Sequence, residues 1–349
     1  MGYQNRTAQV RYYGGKEKLL DFIETEIQSL DLPTGSTFCD LFSGTAVVGR
    51  RFKQLGYSVT ANDHLVFAKC LATTRVKLNS RPRFKGLKVD PIDFLNSLPG
   101  SSGFFSRSYS PDGPQKRKYF TSENARRIDA IRGQIYQWKS NSQITKDEND
   151  FLISSLLEAM NRNSNVSGTY AAFLKSWDSR ALKPLLISEP LMTPGSGSHH
   201  AYNKDALELV RTLKCDVIYL DPPYNSRQYS SNYFLLDVVA EGWFGVEPEV
   251  RGITGMRNNA HLRSDFCSKK TALSALRNIV ASANAKYVVL SYNNEGTISH
   301  SDIYELMSTY GVIRTAEFKH RRYRAINHDP TQTSTIEYLF ILRKTDRNG

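Results

Sequence analysis

"VIYLDPPYNSRQYSS", residues 217–231, begins as a buried strand and then meets a carboxylate, two prolines and a tyrosine. Val217, Ile218, Tyr219 and Leu220 are β-branched, aromatic or apolar, the composition of a strand covered on both faces. Asp221 therefore sits where the chain leaves the sheet. Pro222 and Pro223 have no amide hydrogen and a fixed φ, so the chain beyond Asp221 is stiff and cannot continue strand pairing.

The flanking sequence has the pattern that a doubly covered sheet requires. "STFCDLF" (36–42) and "YSVTAND" (57–63) read as strands, each followed by a helical stretch at 46–56 and 64–80. A third strand is predicted through "GLKVDPIDF" (86–94). Downstream, strands are predicted at 215–220, 285–292, 312–319 and 335–343, with helices at 231–241 and 301–310. This βα alternation predicts an α/β fold: a Rossmann-like, doubly wound, mostly parallel sheet with a late antiparallel strand. Residues 98–212 break the rhythm. "LPGSSGFFSRSYSPDGPQKRKYF" (98–120) is loop-like, and 122–140 and 146–162 read as helices. The expected organisation is one domain from 1–97 and 213–349, with 98–212 inserted as a mainly helical second domain. His199 and His200 read as loop residues with neither a metal nor a catalytic role.

With 349 residues, 40% hydrophobic and 23% charged, the chain has the composition of a soluble globular protein. No apolar run is long enough to span a bilayer, and the first residues contain no apolar h-region, so neither membrane insertion nor secretion is expected. Cys39, Cys70, Cys215 and Cys267 form no C-x-x-C pair. That argues against a zinc site or a disulfide framework and fits a reducing cytoplasm. The net charge of +12 favours a polyanionic partner without specifying one.

Three further stretches carry candidate chemistry. In "CDLFSGTAVVG" (39–49) small residues follow a strand and open a helix, which suits either a nucleotide-site loop or a plain tight turn. Asp63, in "TANDH" (60–64), stands at the end of the next strand. It suits paired ribose hydroxyls or, equally, the N-cap of the helix that follows. "RYYGGKEKLL" (11–20) offers a bend, the Lys16 cation and the Tyr12 ring, and alone reads as a surface turn.

Together with Asp221-Pro222-Pro223-Tyr224 these stretches acquire one meaning. The tetrad resembles the D-P-P-Y motif of S-adenosylmethionine-dependent amino-methyltransferases acting on nucleic-acid bases. "YYGGK" is similar to the family's amino-terminal cofactor motif, "DLFSGTA" to its glycine motif and "ANDH" to its ribose-binding acid. "VDPIDFL" (89–95) resembles the segment whose Asp–Phe pair holds the cofactor adenine, here Asp93 and Phe94. The motif order, with a variable insertion before D-P-P-Y, resembles the adenine-specific group containing the Dam methylases. The tail "DPPYNSRQYSSNYFLL" resembles the methylases that accompany FokI-like restriction enzymes. In one departure, Ala46 stands where the glycine motif commonly ends in glycine. One methyl is tolerable at negative φ, so binding is expected to survive in weakened form.

The resemblance implies S-adenosyl-L-methionine as cofactor, with Tyr12, Lys16, Asp40, Phe42, Gly44, Asp63, Asp93, Phe94 and Asp221 shaping its pocket. It also implies double-stranded DNA as partner, a target-recognition role for the inserted domain, and a restriction endonuclease as functional counterpart. Asp221 and the Pro222 carbonyl would accept the two hydrogens of an adenine amine, with Pro223 stiffening the turn and Tyr224 stacking on the flipped base. Phosphate contacts are expected from Lys116, Arg117 and Lys118, from Arg126 and Arg127, and from Lys319, His320, Arg321, Arg322 and Arg324. The alternatives are a cytosine-N4 methyltransferase, a ribosomal-RNA adenine methyltransferase, and a DNA-binding repressor that retains a catalytically dead methylase fold.

Overall fold

Within residues 15–321 and 334–345, which the computed structural model describes, seven strands pair into one sheet. They are β1 (Thr37–Asp40), β2 (Ser58–Asn62), β3 (His200–Tyr202), β4 (Lys214–Leu220), β5 (Asn284–Asn293), β6 (Gly311–Arg321) and β7 (Ser334–Lys344). Their spatial order is β3-β2-β1-β4-β5-β7-β6. All neighbours are parallel except β7, which runs antiparallel to both β5 and β6. The expected doubly wound sheet with a late antiparallel strand is therefore present.

The chain leaves β1 towards β2 on one side, whereas β4 pairs with β1 on the other, with Asp40 opposite Tyr219. Strand order reverses there, and in open α/β sheets the crevice at such a reversal, beyond the strands' carboxyl ends, is where ligands bind.

Twelve α-helices accompany the strands among the described residues. In chain order, the first five are α1 (Leu20–Gln28), α2 (Val47–Gln54), α3 (Val66–Ala72), α4 (Pro91–Ser97) and α5 (Phe104–Tyr109). Next come α6 (Ser122–Ser140), α7 (Lys146–Asn163), α8 (Ala206–Val210) and α9 (Tyr229–Asn232). The last three are α10 (Phe234–Glu241), α11 (Ala272–Ser282) and α12 (His300–Ser308). Most expected helices lie within a few residues of these bounds, and α6 coincides with the predicted 122–140.

The chain divides into two units. Of the described residues, the sheet unit comprises 16–64, 197–228, 263–321 and 334–345, and the helical unit 15, 65–196 and 229–262. In the sheet unit the core joins Ile218, Leu220, Val288, Leu290, Phe340 and Leu342 to apolar faces of α11 and α12. The helical unit differs from the expected 98–212: it takes in 65–97 and 229–262 and leaves 197–212 to the sheet unit. The cause is α7, which buries Phe151, Leu152, Ile153, Leu156, Leu157 and Met160 and so needs apolar neighbours around most of its circumference. α3 supplies Phe67 and Leu71, and α10 supplies Leu235, Leu236 and Val239.

Two local expectations are corrected. No strand forms at 86–94; Asp90 accepts the amides of Ile92 and Asp93 and starts α4, with Pro91 in its first turn. An Asp-Pro pair is a helix-start signal, because proline's missing N–H falls among amides that lack a helical partner anyway. The third strand on that side of the sheet is instead β3, which His200 opens. His199 is buried, and its Nδ1 accepts the Val59 amide at 3.1 Å.

Candidate active site

Three carboxylates stand at the carboxyl ends of three adjacent parallel strands: Asp63 after β2, Asp40 closing β1, and Asp221 after β4. The register puts them in one mouth, since the Leu41 amide donates to the Tyr219 carbonyl and the Ser43 amide to the Asn62 carbonyl.

The loop after β1 is held from both sides. Gly44 has φ +49° and donates its amide to Asp63 Oδ2 at 2.8 Å. Asp63 is thus fixed to the glycine loop and is not the N-cap of α3, a position that Leu65 occupies. Asp40 reaches back to accept the Gly49 amide at 2.9 Å, capping α2, whose own N-cap Ala46 has no side-chain acceptor. Asp40 is 1% exposed; burial first, then the nearby Asp221 and Asp63 charges, push its carboxyl up to about 8 against the pull of the Gly49 hydrogen bond. It keeps a proton at neutral pH and shapes the loop from behind. Phe42 packs edge-on against Phe266, with ring centroids 5.4 Å apart. Ser43 Oγ is buried without a hydrogen-bond partner among the described residues.

Ala46 corrects the expectation of a negative φ. Its φ is +56° and it is fully buried, with its amide donating to the Ser43 carbonyl. The tight turn from Gly44 into α2 demands left-handed backbone there, which is why glycine suits the position and alanine is strained.

Around Asp221 the sheet builds a buried charge cluster. Lys16 Nζ lies 3.1 Å from Asp221 Oδ1 and 2.5 Å from Glu337 Oε1 on β7. Ser291 Oγ on β5 donates to the same Glu337 oxygen at 2.8 Å. Burial alone would lower the Lys16 ammonium, but Asp221 and Glu337 outweigh it and hold it well above the usual lysine value. Burial likewise raises Asp221, and Lys16 pulls it back while Glu337 pushes it up, leaving it at about 6. Asp221 is therefore an ionised acceptor at neutral pH.

Tyr224 is half-buried, and its ring centroid is 5.8 Å from Lys16 Nζ. The Tyr224 carbonyl accepts both the amide and the hydroxyl of Thr297, at 2.8 and 3.0 Å, and its ring meets Tyr292 edge-on. Pro222 is buried and Pro223 half-buried, which keeps the turn short and stiff.

The other expected site residues are distributed differently. Asp93 and Phe94 lie in α4 of the helical unit, where Asp93 is exposed and the Phe94 ring packs 5.4 Å from Trp138. Tyr12 lies outside the described residues. Arg117 does not face solvent: it is 6% exposed and its guanidinium donates to the carbonyls of Ser108, Gly252 and Ile253. Three carbonyls from α5 and from the 252–253 turn need a fork of donors, and Arg117 provides it. Arg127 likewise donates to the carbonyls of Leu185, Leu98 and Asn96, and Arg126 pairs with Asp112. Lys118 donates to the Lys175 carbonyl, and Lys116 is exposed. Lys319 is exposed on β6, which runs on through His320 to Arg321; Arg322 and Arg324 lie outside the described residues.

Glu337, Ser291 and Tyr219 are site residues that sequence reasoning missed. The Tyr219 hydroxyl is buried near Asp221, Lys16 and Ser291. The available signal was Glu337 itself. It is the one acid in the strand 334–344 and shares period-two spacing with Leu339 and Ile341, so it falls on a buried face.

Comparison with known proteins accords with this geometry. Residues 12–306 match the D12 class N6 adenine-specific DNA methyltransferase family. The type II methyltransferase NlaIII of Neisseria lactamica is 36% identical over 341 residues, covering 96% of this chain and 100% of that protein. The modification methylase StsI of Streptococcus sanguinis is 36% identical over 345 residues, and the type II methyltransferase FokI of Planomicrobium okeanokoites 36% over 349. This chain spans about half of those two, 52% and 53% of their lengths. These similarities do not favour the cytosine-N4, ribosomal-RNA or repressor readings. Because the family match runs from residue 12 through strands β1 to β5 and into α12, most of the chain, the chain belongs to the D12 class of N6 adenine-specific DNA methyltransferases.

Proposed function

We propose that this chain uses S-adenosylmethionine to methylate N6 of an adenine extruded from a specific duplex sequence, as the protective partner of a restriction endonuclease. The observation that carries this reading is the position of Asp221: an ionised, half-buried carboxylate at the reversal of strand order, whose charge reaches Asp40 in the mouth that holds Gly44 and Asp63.

The residues present fit the cofactor. A glycine loop tied to an acid suits a ribose, and the buried Ser43 Oγ, which has no partner among the described residues, offers a polar contact inside the same loop. Gly44, Asp63, Phe42 and Ser43 would hold it, with Asp40 fixing the loop. When bound, S-adenosylmethionine supplies an electrophilic methyl on a sulfonium. The role proposed for Asp93 and Phe94 is contact with the adenine of that cofactor.

An exocyclic amine conjugated to a purine ring is a weak nucleophile. Asp221 and the Pro222 carbonyl accept its two hydrogens, favour a pyramidal nitrogen and stabilise the positive charge that develops there. Tyr224 offers a face for the unstacked base, a contact worth about 1–3 kcal/mol. Lys116 and the Lys319–Arg324 segment hold the duplex through phosphates, and the helical unit reads the target.

Transfer of labelled methyl to plasmid DNA, with nucleoside analysis, tests this. N6-methyladenine in DNA is expected. N4-methylcytosine, or label in ribosomal RNA alone, would overturn it.

A further inference from the structure

Glu337 is 4% exposed; among the described residues it contacts Lys16 at 2.5 Å and Ser291 at 2.8 Å. A carboxylate on the apolar face of a strand is unfavourable unless it is paired and hydrogen-bonded, and here it is both. Yet Lys16 already has a carboxylate partner in Asp221. One ammonium serving one carboxylate would make a closed, neutral pair. One ammonium between two carboxylates leaves a net negative charge, and the shorter contact goes to Glu337.

We propose that Glu337 is a positioning residue for methyl transfer: it draws the Lys16 ammonium towards β7 and so leaves the Asp221 carboxylate less neutralised, a stronger acceptor for the substrate amine. This rests on Asp221 as the amine's acceptor. In the transfer step the N6 lone pair forms the new N–C bond while the C–S pair stays with sulfur. The nitrogen then carries the positive charge, which departs as a proton from one N–H to the Asp221 carboxylate and onward to solvent. A carboxylate already neutralised by Lys16 would stabilise that charge less and take that proton less readily.

Among the described residues, the charged and titratable groups facing this pair are Glu337 from β7, Tyr219 from β4, Tyr224 from the turn after β4 and Asp40 from β1, with Ser291 from β5 as a neutral donor. Glu337 is the only one of them within salt-bridge distance of Lys16 besides Asp221. Removing its charge takes a negative neighbour from Asp221, so the carboxyl should release its proton at lower pH.

The test is single-turnover methylation by the full chain at saturating cofactor and duplex DNA across pH 5–9, comparing wild type with Glu337→Gln, Glu337→Asp and Asp221→Asn. Glutamine keeps the size and an acceptor oxygen for Ser291. Glu337→Gln is expected to lower the rate about 10- to 100-fold, part of what a direct transition-state hydrogen bond contributes. Its KM values should stay near wild type, and its acidic limb should move to lower pH. Glu337→Asp, which restores the charge, should recover part of the rate. A Glu337→Gln enzyme with wild-type rate, or one slowed with its acidic limb unmoved, overturns the inference and leaves Glu337 a structural residue. Asp221→Asn separates the two levels: if it stays active, the reading of Asp221 itself fails; if it is inactive while Glu337→Gln behaves as wild type, only the inference fails.

Discussion

Gly44 and Asp63, 19 residues apart, are joined by a 2.8 Å hydrogen bond from the Gly44 amide to Asp63 Oδ2. One acid thereby fixes the loop's left-handed glycine and holds its own orientation at the mouth of the sheet. Asp63→Ala removes a charged acceptor from both the loop and the proposed ribose. A charge-assisted hydrogen bond contributes about 1.5–3 kcal/mol, so cofactor affinity should fall about 10- to 100-fold, measured by calorimetric titration. Unchanged affinity would place the ribose elsewhere.

Asp40 makes the stability of the chain depend on pH in a particular sense. Its carboxyl is raised from 3.8 to about 8, chiefly by burial. Between those values the folded chain binds the proton and the unfolded chain does not, so this group's contribution to stability declines as pH rises and stays low above about 8. Asp40→Asn removes the titration. Urea unfolding should show the variant gaining stability relative to wild type from pH 6 to 9; a difference independent of pH would contradict the assignment.

Ala46 tests the strain in the glycine motif. Glycine there relieves about 1–2 kcal/mol of left-handed strain, but it deletes a buried methyl and gives the unfolded chain about 0.4–1 kcal/mol more freedom. Ala46→Gly should thus lie within about 1 kcal/mol of wild type. Ala46→Val adds a β-branched side chain at a fully buried position with φ +56° and should cost at least about 2–3 kcal/mol in chemical denaturation. Equal tolerance of both would argue that the turn relaxes.

Two basic residues adjacent in sequence should behave oppositely. Arg117→Ala removes three guanidinium hydrogen bonds to backbone carbonyls and is expected to cost about 2–3 kcal/mol of stability while leaving the salt dependence of DNA binding unchanged. Lys116→Ala should leave stability nearly unchanged and, if Lys116 contacts a phosphate, reduce the salt slope by about one. A lower slope for Arg117→Ala at wild-type stability would reverse the assignment.

Local rules made most of the sheet legible. Strands β1, β2, β4, β5, β6 and β7 announce themselves by short apolar runs bounded by turn residues, and Asp221 and Asp63 by standing where such runs stop. β3 did not, because it is only His200, Ala201 and Tyr202, too short to carry apolar alternation. The helical unit's extent was hidden because the apolar faces of α3 and α10 do not reveal which core they join. Arg117 was misassigned for a related reason: a basic triplet looks the same whether it meets phosphates or buried carbonyls. Glu337 was missed because its partners Lys16 and Ser291 lie 321 and 46 residues away.

The central claim concerns one carboxylate, and quenched-flow single-turnover methylation by Asp221→Asn tests it most directly. With cofactor and duplex binding verified on the same preparation, the rate should fall at least about 1000-fold, the signature of an interaction made in the transition state rather than in binding. A rate within about tenfold of wild type would contradict the account, because the amine would then be activated without the side chain of Asp221.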